Sequence, residues 1–154
     1  MKKILILFCF CCSLSCVAQR TMSAKELSFR TGVENFLKEE GFLPSIDSDG
    51  DLQFKKEGEL YWISVKNENP TYIEISKSGF SCDDAEKGLV LKACNYANMN
   101  TRSAKACLRN ESVLLTIEMY CHTVDEFKYV FYSSLRTLTT IKDMVKDYYS
   151  KHDE

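Results

Sequence analysis

Leu52-Gln53-Phe54-Lys55, Leu60-Tyr61-Trp62-Ile63-Ser64-Val65 and Tyr72-Ile73-Glu74-Ile75 are three short β-rich runs that follow one another between Asp51 and Lys77. The breaks between them are Glu57-Gly58 and Asn67-Glu68-Asn69-Pro70. Hydrophobic and polar residues alternate with a period of two, the pattern of a sheet with one buried face. If Lys56 pairs with Glu59 across the Glu57-Gly58 turn, Leu52 falls opposite Ile63 and Phe54 opposite Tyr61. These four share a face that Val65, Ile73 and Ile75 join, so the core sets the register. Leu60 and Trp62 then point away from that face, and Tyr72, Cys107 and Leu114 are placed on the same outward side.

Upstream of this meander, Ser23 to Glu40 reads as a helix. Leu27, Phe29, Val33, Phe36 and Leu37 form its apolar stripe, and Gly41 is placed to end it. Phe42 and Leu43 fold back onto the core, and Pro44 begins an extended segment. Asp47-Ser48-Asp49-Gly50-Asp51 has a calcium-like look. A strand starts at once, however, and the twelfth position from Asp47 is Gly58, not an acid. The stretch reads as a turn, with Gly50 at positive φ and Asp side chains bonding local amides.

Downstream, Lys77 to Cys82 reads as a loop and Ser81-Cys82-Asp83-Asp84 as a helix start. Ala85, Leu89, Ala93, Tyr96 and Ala97 share one face of that helix, which the Asn-rich stretch from Asn95 to Thr101 should end. Ala104 to Arg109 and Ser112 to Cys121 are two further strands around a tight Asn110-Glu111 turn. Pairing Arg109 with Ser112 puts Leu108 opposite Val113 and Ala106 opposite Leu115, with Ile117 and Met119 continuing the inner face. Asn110-Glu111-Ser112 is also a formal glycosylation sequon, read here as a turn only. Thr123 and Glu126 form a capping box for a last helix from Val124 to about Tyr149. Its stripe is Phe127, Val130, Phe131, Leu135, Leu138, Ile141, Val145 and Tyr148. Lys151 to Glu154 reads as a frayed end.

The expected fold is α+β, in the order α-β-β-β-α-β-β-α. A five-stranded antiparallel sheet carries helices mainly on one face.

The 154 residues suggest a single domain, and a 45% hydrophobic, 27% charged composition is that of a globular chain. Lys2-Lys3, the uncharged run from Ile4 to Val17 and the small residues before Gln19 have the pattern of a secretory signal peptide. The expectation is a leader over 1–18 and one domain over 19–154, exported to the periplasm or secreted. The run is short for a membrane span. Ser13-Leu14-Ser15-Cys16 faintly resembles a lipobox, so a lipoprotein anchored at Cys16 is the alternative. Losing Lys2 and Lys3 takes the basic count from 20 to 18 against 22 acidic residues, a net charge of −4. That balance argues against nucleic-acid and acidic-lipid partners.

Cys82, Cys94, Cys107 and Cys121 remain after the leader. An even number in an exported domain fits one or two disulfides. Buried free thiols are the other reading, and the spacing selects neither. No C-x-x-C pair exists, which argues against zinc.

Several of these stretches together resemble the YbjN-like family, which is similar in fold to type III secretion chaperones. They are Phe36-Leu37-Lys38-Glu39-Glu40-Gly41-Phe42, Asp49-Gly50-Asp51-Leu52-Gln53-Phe54, Asn95-Tyr96-Ala97-Asn98-Met99-Asn100, Ala104-Lys105-Ala106 and the long last helix. The resemblance covers about residues 25–149. It implies a non-enzymatic protein, regulatory or chaperone-like, and carries over no catalytic residue. Many members look cytoplasmic, and the signal peptide is a departure from them.

The residues themselves point to no catalytic constellation. His122 sits where the fifth strand meets the last helix, and its neighbour Cys121 points to the opposite face. No G-x-S-x-G, H-E-x-x-H, P-loop or G-x-G-x-x-G occurs, and neither a cofactor nor a metal is expected. The expected function is an exported interaction module, chaperone- or adaptor-like, that binds a protein partner or dimerises. Leu60, Trp62, Tyr72 and Leu114 form the candidate surface. The alternative is a small hydrolase or thiol/redox enzyme using His122 or the cysteines.

Overall fold

The structure is a computed structural model, and it describes residues 22–152. The expected leader over 1–18 and the Cys16 anchor lie outside the described residues. The elements are α1 (Ala24–Glu39), β1 (Ser45–Ile46), β2 (Leu52–Lys56), β3 (Glu59–Lys66), β4 (Thr71–Ser81), α2 (Lys87–Asn100), β5 (Ala104–Arg109), β6 (Ser112–Cys121) and α3 (Val124–His152). The strands form one antiparallel sheet in the order β1-β2-β3-β4-β6-β5.

The α+β class holds, but the sheet has six strands rather than five. The added strand is β1, which pairs Ser45 with Gln53 and Ile46 with Leu52. The extended run after Pro44 was legible. Its pairing was not, because two residues carry no alternation to read. Strand β4 is also longer than its apolar core suggests. It continues from Ile75 through the expected loop to Ser81, with an irregularity between Ser78 and Ser81. Strand β6 is ten residues long, and pairing with it extends β4 past the apolar run.

The meander has the expected register. Leu52 faces Ile63, Phe54 faces Tyr61 and Lys56 faces Glu59. The two-residue turn needs positive φ at both positions, and Glu57 (54°) and Gly58 (82°) supply it. The β3–β4 connection carries a cis Asn69-Pro70 peptide. The second hairpin also pairs as read: Arg109 with Ser112, Leu108 with Val113 and Ala106 with Leu115.

The helix ends follow from local chemistry. Ser23 and Glu26 cap α1 reciprocally. At its other end the Phe42 N–H donates to the Leu37 carbonyl and the Gly41 N–H to Lys38, with Gly41 at φ 84°. This is a Schellman closure, and it turns Phe42 back against Phe54, with ring centroids 5.1 Å apart. Helix α2 begins at Lys87, later than expected. Asp83 and Glu86 bond each other's backbone N–H groups in a turn just before it. The acidic cap is real but sits one turn upstream of the regular helix. The buried stripe of α2 is Val90, Ala93, Cys94 and Ala97. Ala85 precedes the helix and Tyr96 is exposed, which shifts the expected face. The helix also runs through the Asn-rich stretch to Asn100. Helix α3 is capped by the Thr123 hydroxyl, while the Glu126 carboxylate accepts from the His122 N–H, one residue earlier than in a standard box. It continues to His152, whose ring stacks on Tyr148 at 4.2 Å. The tail expected to fray is helical at least that far.

The buried core lies between the helices and one side of the sheet. Leu52, Phe54, Tyr61, Ile63, Val65, Ile73, Ile75, Val113, Leu115 and Ile117 meet Phe29, Val33, Phe36, Val90, Phe127, Phe131, Leu138 and Ile141. Helix α3 touches α1, α2 and strands β4, β5 and β6, as its long apolar stripe requires. The three described helices therefore occupy one face.

Candidate functional site

Among the described residues, the other face of the sheet carries no helix. Period-two alternation sends Leu60, Trp62, Ser64 and Lys66 of β3 outward, with Tyr72, Glu74, Ser76 and Ser78 of β4 and Leu114, Thr116, Glu118 and Tyr120 of β6. Pairing arranges them in rows across the strands. One row is Gln53, Trp62, Ser76, Thr116 and Lys105. A second is Ser64, Glu74 and Glu118. A third is Lys66, Tyr72 and Tyr120. A fourth joins Ser78, Leu114 and Cys107.

The expected surface residues all lie on this face, but they do not form one contiguous patch. Leu60 and Trp62 are neighbours on β3, while the Tyr72 row is separated from Trp62 by the acidic row. Trp62 is half-buried, with Gln53 and Ser76 beside it as the register requires. The sequence reading missed Tyr120, which is 59% exposed and meets Tyr72 with ring centroids 5.5 Å apart. Counting in twos from Leu114 reaches it.

The reading also missed the acids. Glu74 and Glu118 stand directly opposite each other on adjacent strands, a placement that costs stability between like charges. Lys105 takes Glu118 at 2.7 Å, and the Tyr72 hydroxyl donates to Glu74 at 3.4 Å. Burial, then the charges of Glu74 and Glu118, push Tyr72 up to about 12. The face is thus aromatic with an acidic centre.

A second unusual group lies on the inner side. Lys77 is 1% exposed, because Ile73, Ile75 and Lys77 share one parity on β4. Its ammonium donates to Glu59 and to the Tyr61 hydroxyl at 3.3 Å, and lies 5.0 Å from the Tyr61 ring centroid. Lys142 of α3 takes the other Glu59 oxygen. Burial works to raise Glu59, but the hydrogen bonds and charges of Lys142 and Lys77 outweigh it and hold the carboxyl at about 2.

The residues of the enzyme alternative are not assembled. His122 is exposed while Cys121 beside it is buried. Cys82, Cys94, Cys107 and Cys121 are free thiols. Burial raises Cys82 and Cys121 and pushes Cys94 up to about 11, which disfavours the reactive thiolate. Asp47 spends its carboxylate on a turn. One oxygen accepts from the Asp49 and Asp51 N–H groups and the other from the Gln53 amide, with Gly50 at φ 86°. No helix among the described residues is long and apolar enough to cross a membrane.

Residues 30–129 match the family YbjN, described as "Putative bacterial sensory transduction regulator". Seven chains of solved structures match this chain. One is "Crystal structure of YbjN, a putative transcription regulator from E. coli", at 11% identity and a TM-score of 0.57, covering 71% of this chain and 84% of that one. At that identity the likeness concerns the fold alone. No curated protein matches the sequence.

Proposed function

This chain belongs to the YbjN family, and from that premise we propose that it is a regulatory interaction module, not an enzyme, that binds a protein partner through the open face of its sheet. The observation that carries the reading is the segregation of the helices. All three described helices cover one side, which leaves Leu60, Trp62, Tyr72, Leu114 and Tyr120 on a side without a second layer among the described residues. Large aromatics on such a face are the residue types that anchor interfaces. Lys105 already neutralises Glu118, so Glu74 is the acid of the central pair without a cation among the described residues, and a partner's basic side chain placed there meets the Tyr72 and Tyr120 rings. A chaperone- or adaptor-like role is the form of this function that the family's likeness to secretion chaperones suggests. Export to the periplasm, the setting proposed for it, rests on the residues before Gln19. Dimerisation through the same face is the second form.

Site-specific photo-crosslinking tests the proposal. A photoreactive residue at Leu60, Trp62 or Tyr120 should trap a discrete product. One at Tyr129, which is 90% exposed on the helical side, should not. Equal labelling from both sides, or none from the sheet, overturns the reading. The mass of the product separates a second copy from another protein.

A further inference from the structure

The inner charged group has an imbalance that the open face does not explain. Glu59 offers two oxygens, and Lys77 and Lys142 take one each. One carboxylate therefore serves two ammonium groups, one of them removed from water. An ammonium taken out of water costs several kcal/mol unless opposite charge and hydrogen bonds compensate it. The Tyr61 hydroxyl and ring offset part of that cost. The trio still carries a net positive charge.

A cleft of about 400 Å³ adjoins it, between the β2–β3 hairpin and α3. Lys56, Tyr61, Tyr132, Leu135, Arg136, Thr139 and Thr140 line it. Tyr61 belongs to both places: it lines the cleft, and its hydroxyl touches Glu59 and Lys77. The other hydroxyls are already committed as donors. Thr139 donates to the Leu135 carbonyl, Thr140 to Arg136 and Tyr132 to Glu40. They present lone pairs, so the protons available to a ligand come from the cations. Lys56 is half-buried and pairs with the exposed Glu57. The Arg136 guanidinium has no carboxylate partner among the described residues. Two cations, Lys56 and Arg136, line the cleft and two more, Lys77 and Lys142, hold Glu59 beyond the Tyr61 hydroxyl, against Glu57, Glu59 and the Tyr132-bound Glu40. The whole chain, by contrast, has a net charge of −2. A positive concavity on an acidic protein concentrates anions locally.

We propose that this cleft is a binding site for a small molecule bearing an oxyanion, a carboxylate or a phosphate. Arg136 and Lys56 grip the oxygens and the Glu59–Lys77–Lys142 trio supplies the field behind them. The planar fork of Arg136 suits both anion types. The exposed ring of Tyr132 offers apolar surface to the body of the ligand, and the volume lies in the range of small-molecule sites. This site lies on the helical side and does not rest on the open-face reading.

Calorimetric titration of the full chain at low ionic strength tests it, with inorganic phosphate in one arm and citrate in the other. Saturable binding with a Kd below about 1 mM in at least one arm is expected. Which arm responds assigns the anion. Arg136→Gln should raise that Kd about tenfold or more. Lys105→Gln, on the opposite face, should leave it unchanged. Arg136 is exposed, so the variant should fold, and circular dichroism checks this. Absence of saturable heat up to about 10 mM in both arms overturns the proposal, as does an Arg136→Gln Kd within about threefold of the parent's.

Discussion

Asn98, near the end of α2, holds both backbone groups of Ala106. The Ala106 N–H donates to its Oδ1 at 2.7 Å, and its Nδ2 donates to the Ala106 carbonyl at 2.9 Å. Strand β5 is the outermost strand on its side of the sheet. Counting from the Arg109–Ser112 pair that closes the hairpin, the Ala106 backbone faces away from β6. The side chain therefore closes a free sheet edge at its middle residue. Open edges invite pairing with other chains, and covering them is a common protection.

Asn98→Ala removes the clamp and leaves two backbone groups to solvent. A loss of about 1–2 kcal/mol is expected for the pair of hydrogen bonds, read as a lower urea midpoint with an unchanged slope. Sedimentation should show more concentration-dependent association. A variant with the parent's midpoint would show that the clamp contributes nothing.

Two glycines should respond with opposite signs. Gly58 holds φ 82° in the β2–β3 turn, so Gly58→Ala should destabilise by about 1 kcal/mol even though a Cβ there meets open space. Gly88 lies in α2, also with room for a Cβ. Gly88→Ala should stabilise by about 0.5–1 kcal/mol. Thermal melts of both variants check the pair.

Glu59 gives the fold an acid-sensitive contact. Its carboxyl sits at about 2, below its ordinary 4.5. A depressed carboxyl stabilises the folded state above the ordinary value, and that stabilisation is lost as pH falls from about 4.5 toward 2. Because Glu59 is partly exposed, solvent screening leaves about 1 kcal/mol of it. Glu59→Gln should be less stable at neutral pH, since Lys77 loses its counter-charge. Its own stability should fall less than the parent's between pH 5 and pH 2. Parallel acid dependence in the two proteins would remove Glu59 from the account.

The register of both hairpins was readable because each has a two-residue turn and a period-two core. Leu52 meets Ile63, and Ala106 meets Leu115, for that reason. What stayed hidden depends on contacts distant in sequence or on elements too short to show a pattern. Ser45–Ile46 is too brief for alternation. Lys77 looks like the first residue of a loop until β6 is seen to extend β4 past it. Asn98 reads as part of a helix-ending run, and only the fold brings it to Ala106. The open face was legible by parity, yet the Glu74–Glu118 opposition needed the β4–β6 register, which no turn specifies.

Trp62 offers the sharpest test of that face. It lies between Gln53 and Ser76 on central strand β3, pointing away from the helices. A tryptophan is costly to leave in water, so its place there needs either local packing or a partner. Local packing predicts a core-like response, with Trp62→Ala costing about 3 kcal/mol or more. A partner predicts a surface-like response, with a cost of about 1 kcal/mol or less and a loss of the crosslinked product from Leu60. The half-buried state of the ring and its small polar flanks favour the second outcome. Phe131→Ala supplies the scale: that ring is fully buried against Phe36, Phe42, Phe54 and Phe127 and should cost about 3–5 kcal/mol. Chemical denaturation of the two variants beside the parent places Trp62 on that scale. A Trp62→Ala cost equal to that of Phe131→Ala would return the indole to the core and remove the anchor of the proposed face.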